Sequence, residues 1–206
     1  MKRIGFSGRQ TAGVWLALLL VYLMISAGCS NPLEEQKEVF NLRLFPSKVV
    51  VVEGDETTVS VWVDQAKGLI ATRFILSFDP SMAEVKSIRT GGIDDIFVNA
   101  GASVLEIEKS YDNETGRIVV GVGAQQSKFT GASGSGSVVD IVLTSKTPGK
   151  SNINFVNIKP DDIVTTGYSS TAETGWKEFQ VEVFNAELNV VENVTDAITD
   201  SLAVEQ

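Results

Sequence analysis

The side chains able to do chemistry are few, and their types decide much. The chain has 206 residues, with 26 Asp and Glu, 17 Lys and Arg, one Cys and no His. Without His there is no Ser-His-Asp triad, no Cys-His pair and no imidazole metal ligand. With one Cys there is no intrachain disulfide and no multi-Cys zinc or iron–sulfur centre. Acid–base work is left to carboxylates, and two adjacent pairs stand out, Asp94-Asp95 and Asp161-Asp162. A glycosidase needs two carboxylates roughly 5 to 9.5 Å apart across a cleft. Adjacent residues on a strand point to opposite faces, so these pairs read as solvated loop acids. Loop carboxylates and carbonyls suffice for calcium, but no EF-hand-like loop is present, and no cofactor is expected. The Gly/Ser-rich stretch 130–137 lacks the Walker lysine and is no phosphate loop. The chain therefore reads as non-catalytic.

Binding chemistry is better represented. Trp62 falls on the strand face opposite Val59, Val61 and Val63, where an indole can stack on a sugar ring. Trp176, Tyr168 and Tyr111 are the other candidates for such a platform. The alternative for Trp62 is plain packing against a sheet edge or under a loop.

The elements that must position these residues are strands. Val59, Val61 and Val63 alternate with Ser60, Trp62 and Asp64, the period of a half-buried strand. Lys67-Gly68 reads as a turn. Phe74, Leu76 and Phe78 then share one face, which places Arg73, Ile75 and Ser77 on the other. Leu105 and Ile107 alternate with Val104, Glu106 and Glu108. Ile118, Val120 and Val122 alternate with Val119, Gly121 and Gly123. GASGSG at 131–136 reads as a flexible loop. Val139, Ile141 and Leu143 make another strand, Ile153 and Phe155 the next, and Phe179, Val181 and Val183 the last. Nothing inside the domain has a helical period of useful length. Short strands with turn signals between them predict an all-β sandwich.

Two ends flank this domain. Lys2, Arg3 and Arg9 precede a 12-residue apolar run, Val14 to Ile25. A bilayer span needs about 20 residues, whereas this length fits the apolar region of a signal peptide. Ala27-Gly28-Cys29 then resembles the lipobox of bacterial lipoproteins, with Ser26 where that family usually has Leu. The resemblance implies cleavage before Cys29, acylation of its thiol, and an anchor at the cell envelope. Ser30, rather than Asp, implies the outer membrane or cell surface if the cell is Gram-negative. Segment 1–28 would be the signal, 29–40 a polar tether, 41–191 the sandwich and 192–206 an acidic tail. Three basic residues and no acid leave with 1–28, so the net charge falls from −9 to −12. Such a module is a poor match for nucleic acid or anionic headgroups. Membrane association falls to the lipid. Asn113-Glu114-Thr115 and Asn193-Val194-Thr195 match the glycosylation sequon but carry no functional reading in that setting; Asn113 is explained by its turn.

The succession of strands and turns also resembles a cohesin domain. The matching pieces are Val50 to Asp55, Val59 to Val63, Gly68 to Pro80 and Glu84 to Ile88. They continue with Thr115 to Val120, Val139 to Leu143, Pro148-Gly149 and Phe179 to Val183. The resemblance implies a jelly-roll sandwich of about nine strands that docks a dockerin-like protein partner through one sheet face, as in polysaccharide-degrading assemblies. Ala71 and Arg73 occupy the slots where the best-known cohesins carry Asn and Asp. Parity puts Arg73, Ile75, Ser77, Val104, Glu106, Glu108, Val119, Gly121 and Gly123 on the expected partner-binding face. The alternative function is direct polysaccharide binding, with Trp62 and Trp176 stacking on sugar.

Overall fold

The apolar alternation does build strands, and one of them serves two sheets. The computed structural model describes residues 39–125, 130–156, 164–168 and 176–202. Cys29, most of the tether and Asp161-Asp162 lie outside these residues. The described strands are β1 (Val39–Phe45), β2 (Lys48–Val52), β3 (Glu56–Ser77), β4 (Ala83–Arg89), β5 (Ser103–Asp112) and β6 (Arg117–Gln125). They continue with β7 (Ala132–Ser145), β8 (Gly149–Phe155), β9 (Val164–Tyr168), β10 (Trp176–Glu178), β11 (Gln180–Phe184) and β12 (Ala186–Val191). Two helices, α1 (Ile96–Asn99) and α2 (Val194–Leu202), complete the set.

The first half of β3 lies between β1 and β7, with β11 beyond β1 and β4 beyond β7. Its second half pairs with β6, β9 and β8, and β5 lies beyond β6. β12 and β2 extend the sheet past β8. The all-β sandwich expected from the sequence is what the chain forms. Its core takes Leu42, Leu44, Val59, Val61 and Val63 from one set of strands and Phe74, Leu76, Ile118, Val120 and Val122 from the other. Each such side chain contributes about 1.5–3 kcal/mol by leaving water.

β3 is where the sequence reading changes most. Lys67-Gly68 does not reverse the chain. Buried positions step by two through Val59, Val61 and Val63, by three through Ala66, Leu69 and Thr72, and by two again through Phe74 and Leu76. The longer steps coincide with register shifts against β7 and β9, that is, with bulges. Bulges raise the local twist, and so one strand crosses from one sheet into the other. Gln65 (φ 53°) and Gly68 (φ 76°) take left-handed backbone there.

The GASGSG stretch, expected as a loop, is the start of β7, and it supports this bend. A Cβ on Gly131 would lie 2.1 Å from the backbone of Gly68, so only glycine permits that approach. The bulges turn two N–H groups away from the ladder, and hydroxyls accept them. Gln65 N–H donates to Ser135 Oγ at 3.0 Å and Gly68 N–H to Ser133 Oγ at 3.2 Å. Small and hydroxylated residues here are backbone chemistry.

Both sequons are likewise structural. The Asn113 amide accepts from Val85 N–H at 2.8 Å and donates to Val85 C=O at 3.1 Å, sealing part of the β4 edge. Asn193 caps α2, its Oδ1 accepting from Asp196 N–H at 3.1 Å. The expected tail therefore carries a helix, and β12, unforeseen in the sequence, precedes it.

Candidate partner-binding face

The second half of β3 buries Phe74 and Leu76, and β6 buries Ile118, Val120 and Val122. Their odd-numbered neighbours point away from the core. Register then sets rows across β3, β6 and β5: Ala71–Gly123–Leu105, Arg73–Gly121–Glu108, Ile75–Val119–Ser110 and Ser77–Arg117–Asp112. Six of the nine sequence-predicted face residues, Arg73, Ser77, Glu108, Val119, Gly121 and Gly123, stand on this outer side, and register brings their strands together.

Three do not behave as expected. Ile75 has the right parity but is only 2% exposed. It lies between Val119 on β6 and Val156, whose N–H donates to its carbonyl. Ile75 is buried outside the main core cluster and offers no open apolar surface. Val104 packs against the core. Glu106 shares that parity, paired with Val122, and is drawn to the sandwich rim. It accepts from Lys109 Nζ at 2.6 Å and Thr90 Oγ1 at 2.7 Å. These bonds, Lys109 first, hold its carboxyl below the usual range.

For Val104 and Glu106 the cause is a bulge. Glu106 pairs with Val122 and Glu108 with Gly121, leaving Ile107 as the extra residue. Parity in β5 is inverted before the bulge and restored after it. Leu105 and Ile107, expected inside, are 44% and 61% exposed. Ile107 lies along the glycines. A Cβ on Gly121 would be 3.5 Å from Ile107 Cβ, and one on Gly123 would be 3.4 Å from Ile107 Cδ1. The glycines thus form a floor that this side chain crosses. Beside it, Arg73 Nε donates to Glu108 Oε2 at 2.9 Å over Gly121. The result is an apolar ridge with an ion pair at its flank, on a sheet without bulk beneath. The clue in the sequence was the glycine pair in β6, whose empty side needs cover from a neighbouring strand.

Asp95 also departs from the solvated reading. It is 1% exposed. Its Oδ1 accepts from Phe97 N–H at 2.8 Å and Val98 N–H at 3.2 Å, and its Oδ2 from Gly91 N–H at 3.1 Å. It is the N-cap of α1. Burial pushes its pKa up, with Asp140 adding to the rise, although the three N–H bonds oppose it. Asp94, its neighbour, is exposed. The pair is a cap and a surface acid.

Trp62 stands on the outer face of the opposite sheet, beside Arg43 and Ser137 in register. The Arg43 guanidinium lies 5.4 Å from the Trp62 ring centre and 5.0 Å from that of Phe45. Both are within cation–π range. Asp64 holds Arg43 at 2.7 Å. Trp62 Nε1 is buried without an acceptor among the described residues. Trp176 pairs through its backbone with Tyr168, in the β9–β10 hairpin, and so belongs to a different part of the sheet from Trp62.

No family model matches the chain, and no curated protein matches its sequence. Solved structures do. The seventh ScaB type I cohesin of Pseudobacteroides cellulosolvens aligns with a TM-score of 0.59 at 15% identity, over 76% of this chain and 96% of that one. A non-cellulosomal cohesin from the archaeon Archaeoglobus fulgidus gives 0.55 at 16%, over 79% and 98%. A type I cohesin–dockerin complex from Clostridium thermocellum gives 0.55 at 16%, over 75% and 100%. At these identities the likeness establishes the fold, and that fold is the cohesin sandwich.

Proposed function

We propose that this chain is a non-catalytic, cell-surface docking module that captures a protein partner of dockerin type on the outer face of β3, β6 and β5. One observation carries the reading. The exposed Leu105 and Ile107 lie over a glycine floor beside the Arg73–Glu108 pair. An apolar ridge with a charged flank suits a folded protein partner. Solved cohesins of this fold include one crystallised in complex with a dockerin, which supports the partner class. Ala71 and Arg73 argue for a dockerin-like module with its own specificity. Assembly with polysaccharide-degrading proteins is part of the proposal. The carbohydrate alternative belongs to the opposite sheet, where Trp62 stands.

Titration of the purified full chain with a panel of dockerin-type modules tests this. A saturable complex with at least one module, lost in Ile107→Asp, is expected. No complex with any module, or one indifferent to Ile107→Asp, contradicts it. Anchoring through Cys29 is the other part of the proposal. Cells fed labelled fatty acid should label the wild type and not Cys29→Ala, and equal labelling would remove the anchor.

A further inference from the structure

The outer face of the β11–β1–β3 side holds a second surface. Phe45 on β1 is 49% exposed and Phe184 on β11 is 50% exposed. Arg43 stands in register with Phe184 on one side and Trp62 on the other. Neighbouring strands are about 4.8 Å apart, so Phe184 and Trp62 flank Arg43 across roughly twice that distance. Phe45 and Trp62 have ring centres 5.9 Å apart. Three aromatic side chains therefore surround one arginine on a strand face, not in a loop.

Charge selects the ligand. Arg43 is paired with Asp64 at 2.7 Å, so its charge is compensated where the aromatic rings meet, and a further charge, the acid Glu182, stands one row away on β11. A charged partner would have to displace one member of that pair. An uncharged ligand with apolar faces and hydroxyl edges would not. Its C–H faces match the exposed phenyl rings. Its hydroxyls match the guanidinium N–H donors of Arg43 and the carboxylate acceptors of Asp64. Aromatic area with a small number of precisely placed polar groups is the composition of ligand sites.

We infer that this face binds a neutral polysaccharide through Phe45, Phe184, Trp62 and the Arg43–Asp64 pair, independently of the protein partner. The module would then have two faces with two ligand classes.

Affinity electrophoresis of the full chain in gels containing neutral β-glucan, xylan or galactomannan tests this, with polygalacturonate as the charged control. Retardation by at least one neutral polymer is expected. Phe45→Ala/Phe184→Ala should weaken it about tenfold or more, and Phe45→Tyr should preserve it. Ile107→Asp should leave it unchanged. No retardation by any neutral polymer overturns the proposal. So does preference for polygalacturonate, or binding unaffected by the double variant. Concentration-dependent dimerisation abolished by the double variant would assign the patch to a second copy of the chain and overturn it too.

Discussion

Arg73 and Glu108 meet at 2.9 Å across Gly121, joining the outer strands of a three-strand face over the one residue between them that has no side chain. The relationship needs the β5 bulge, because without it Glu108 would sit on the core side. Both side chains remain more than a third exposed. An exposed ion pair contributes about 0.2–1 kcal/mol. A double-mutant cycle with Arg73→Ala and Glu108→Ala, read by urea denaturation, should give a coupling of about 1 kcal/mol or less and fall further in high salt. A larger, salt-insensitive coupling would mean that the pair is structural.

Ile75 and Ile107 should behave as opposites. An aspartate at Ile75 would bury a carboxylate among apolar neighbours, costing about 3 kcal/mol or more. Thermal melts should show Tm lowered by about 6 °C or more. Ile107→Asp places the charge in water and should move Tm by less than about 2 °C. Equal melting of the two would refute the placement of these residues.

Asp95 gives a pH signature. Its folded pKa lies above the unfolded value because burial disfavours the charge, and Asp140 adds repulsion. Between those two values the folded state holds more protons, so this group's contribution to stability is greatest in acid and is lost as pH rises through the window. Asp95→Asn removes the titration and keeps Oδ1 as acceptor for α1. The variant should gain on the wild type as pH rises from about 3 to 7, measured by denaturant unfolding at each pH. Asp79, Glu106 and Asp112 have lowered values and act with the opposite sign. They are common to both proteins and cancel. A constant difference across pH would contradict the buried placement.

Gly131 and Gly134 separate crowding from backbone strain. Both have positive φ. A Cβ on Gly131 meets Gly68 backbone at 2.1 Å, whereas one on Gly134 meets nothing within 4 Å. Gly134→Ala should cost about 1–2 kcal/mol from backbone strain alone. Gly131→Ala should cost at least about 2 kcal/mol more, because the strands must part. Similar losses in chemical denaturation would show that β7 does not approach the β3 bend.

Much of the fold was legible because β periodicity is local. Val59 to Val63, Phe74 to Phe78 and Ile118 to Val122 each expose their face within five residues. Bulges are not local. Whether Ile107 adds a residue to its strand depends on the glycines opposite it, and their pairing is set by the tertiary register. One added residue inverts every side chain on one side of it, which is why Leu105 and Val104 exchanged faces. Likewise, Ser133 and Ser135 look like linker residues until the β3 bend supplies N–H groups for them. Ile75 had the correct parity, but parity alone does not report what flanks a residue from the next strands.

On the proposed function, the partner sits on the β3–β6–β5 face. Photo-crosslinking tests it most directly. A photoreactive amino acid is placed at Leu105 in one sample and at Glu182, on the outer face of β11, in another, and each is irradiated with the dockerin-type partner identified by titration. Both positions are exposed on the strand surface. Crosslinking from position 105 and not from 182 is the predicted result. Crosslinking from 182 and not from 105 would contradict the account.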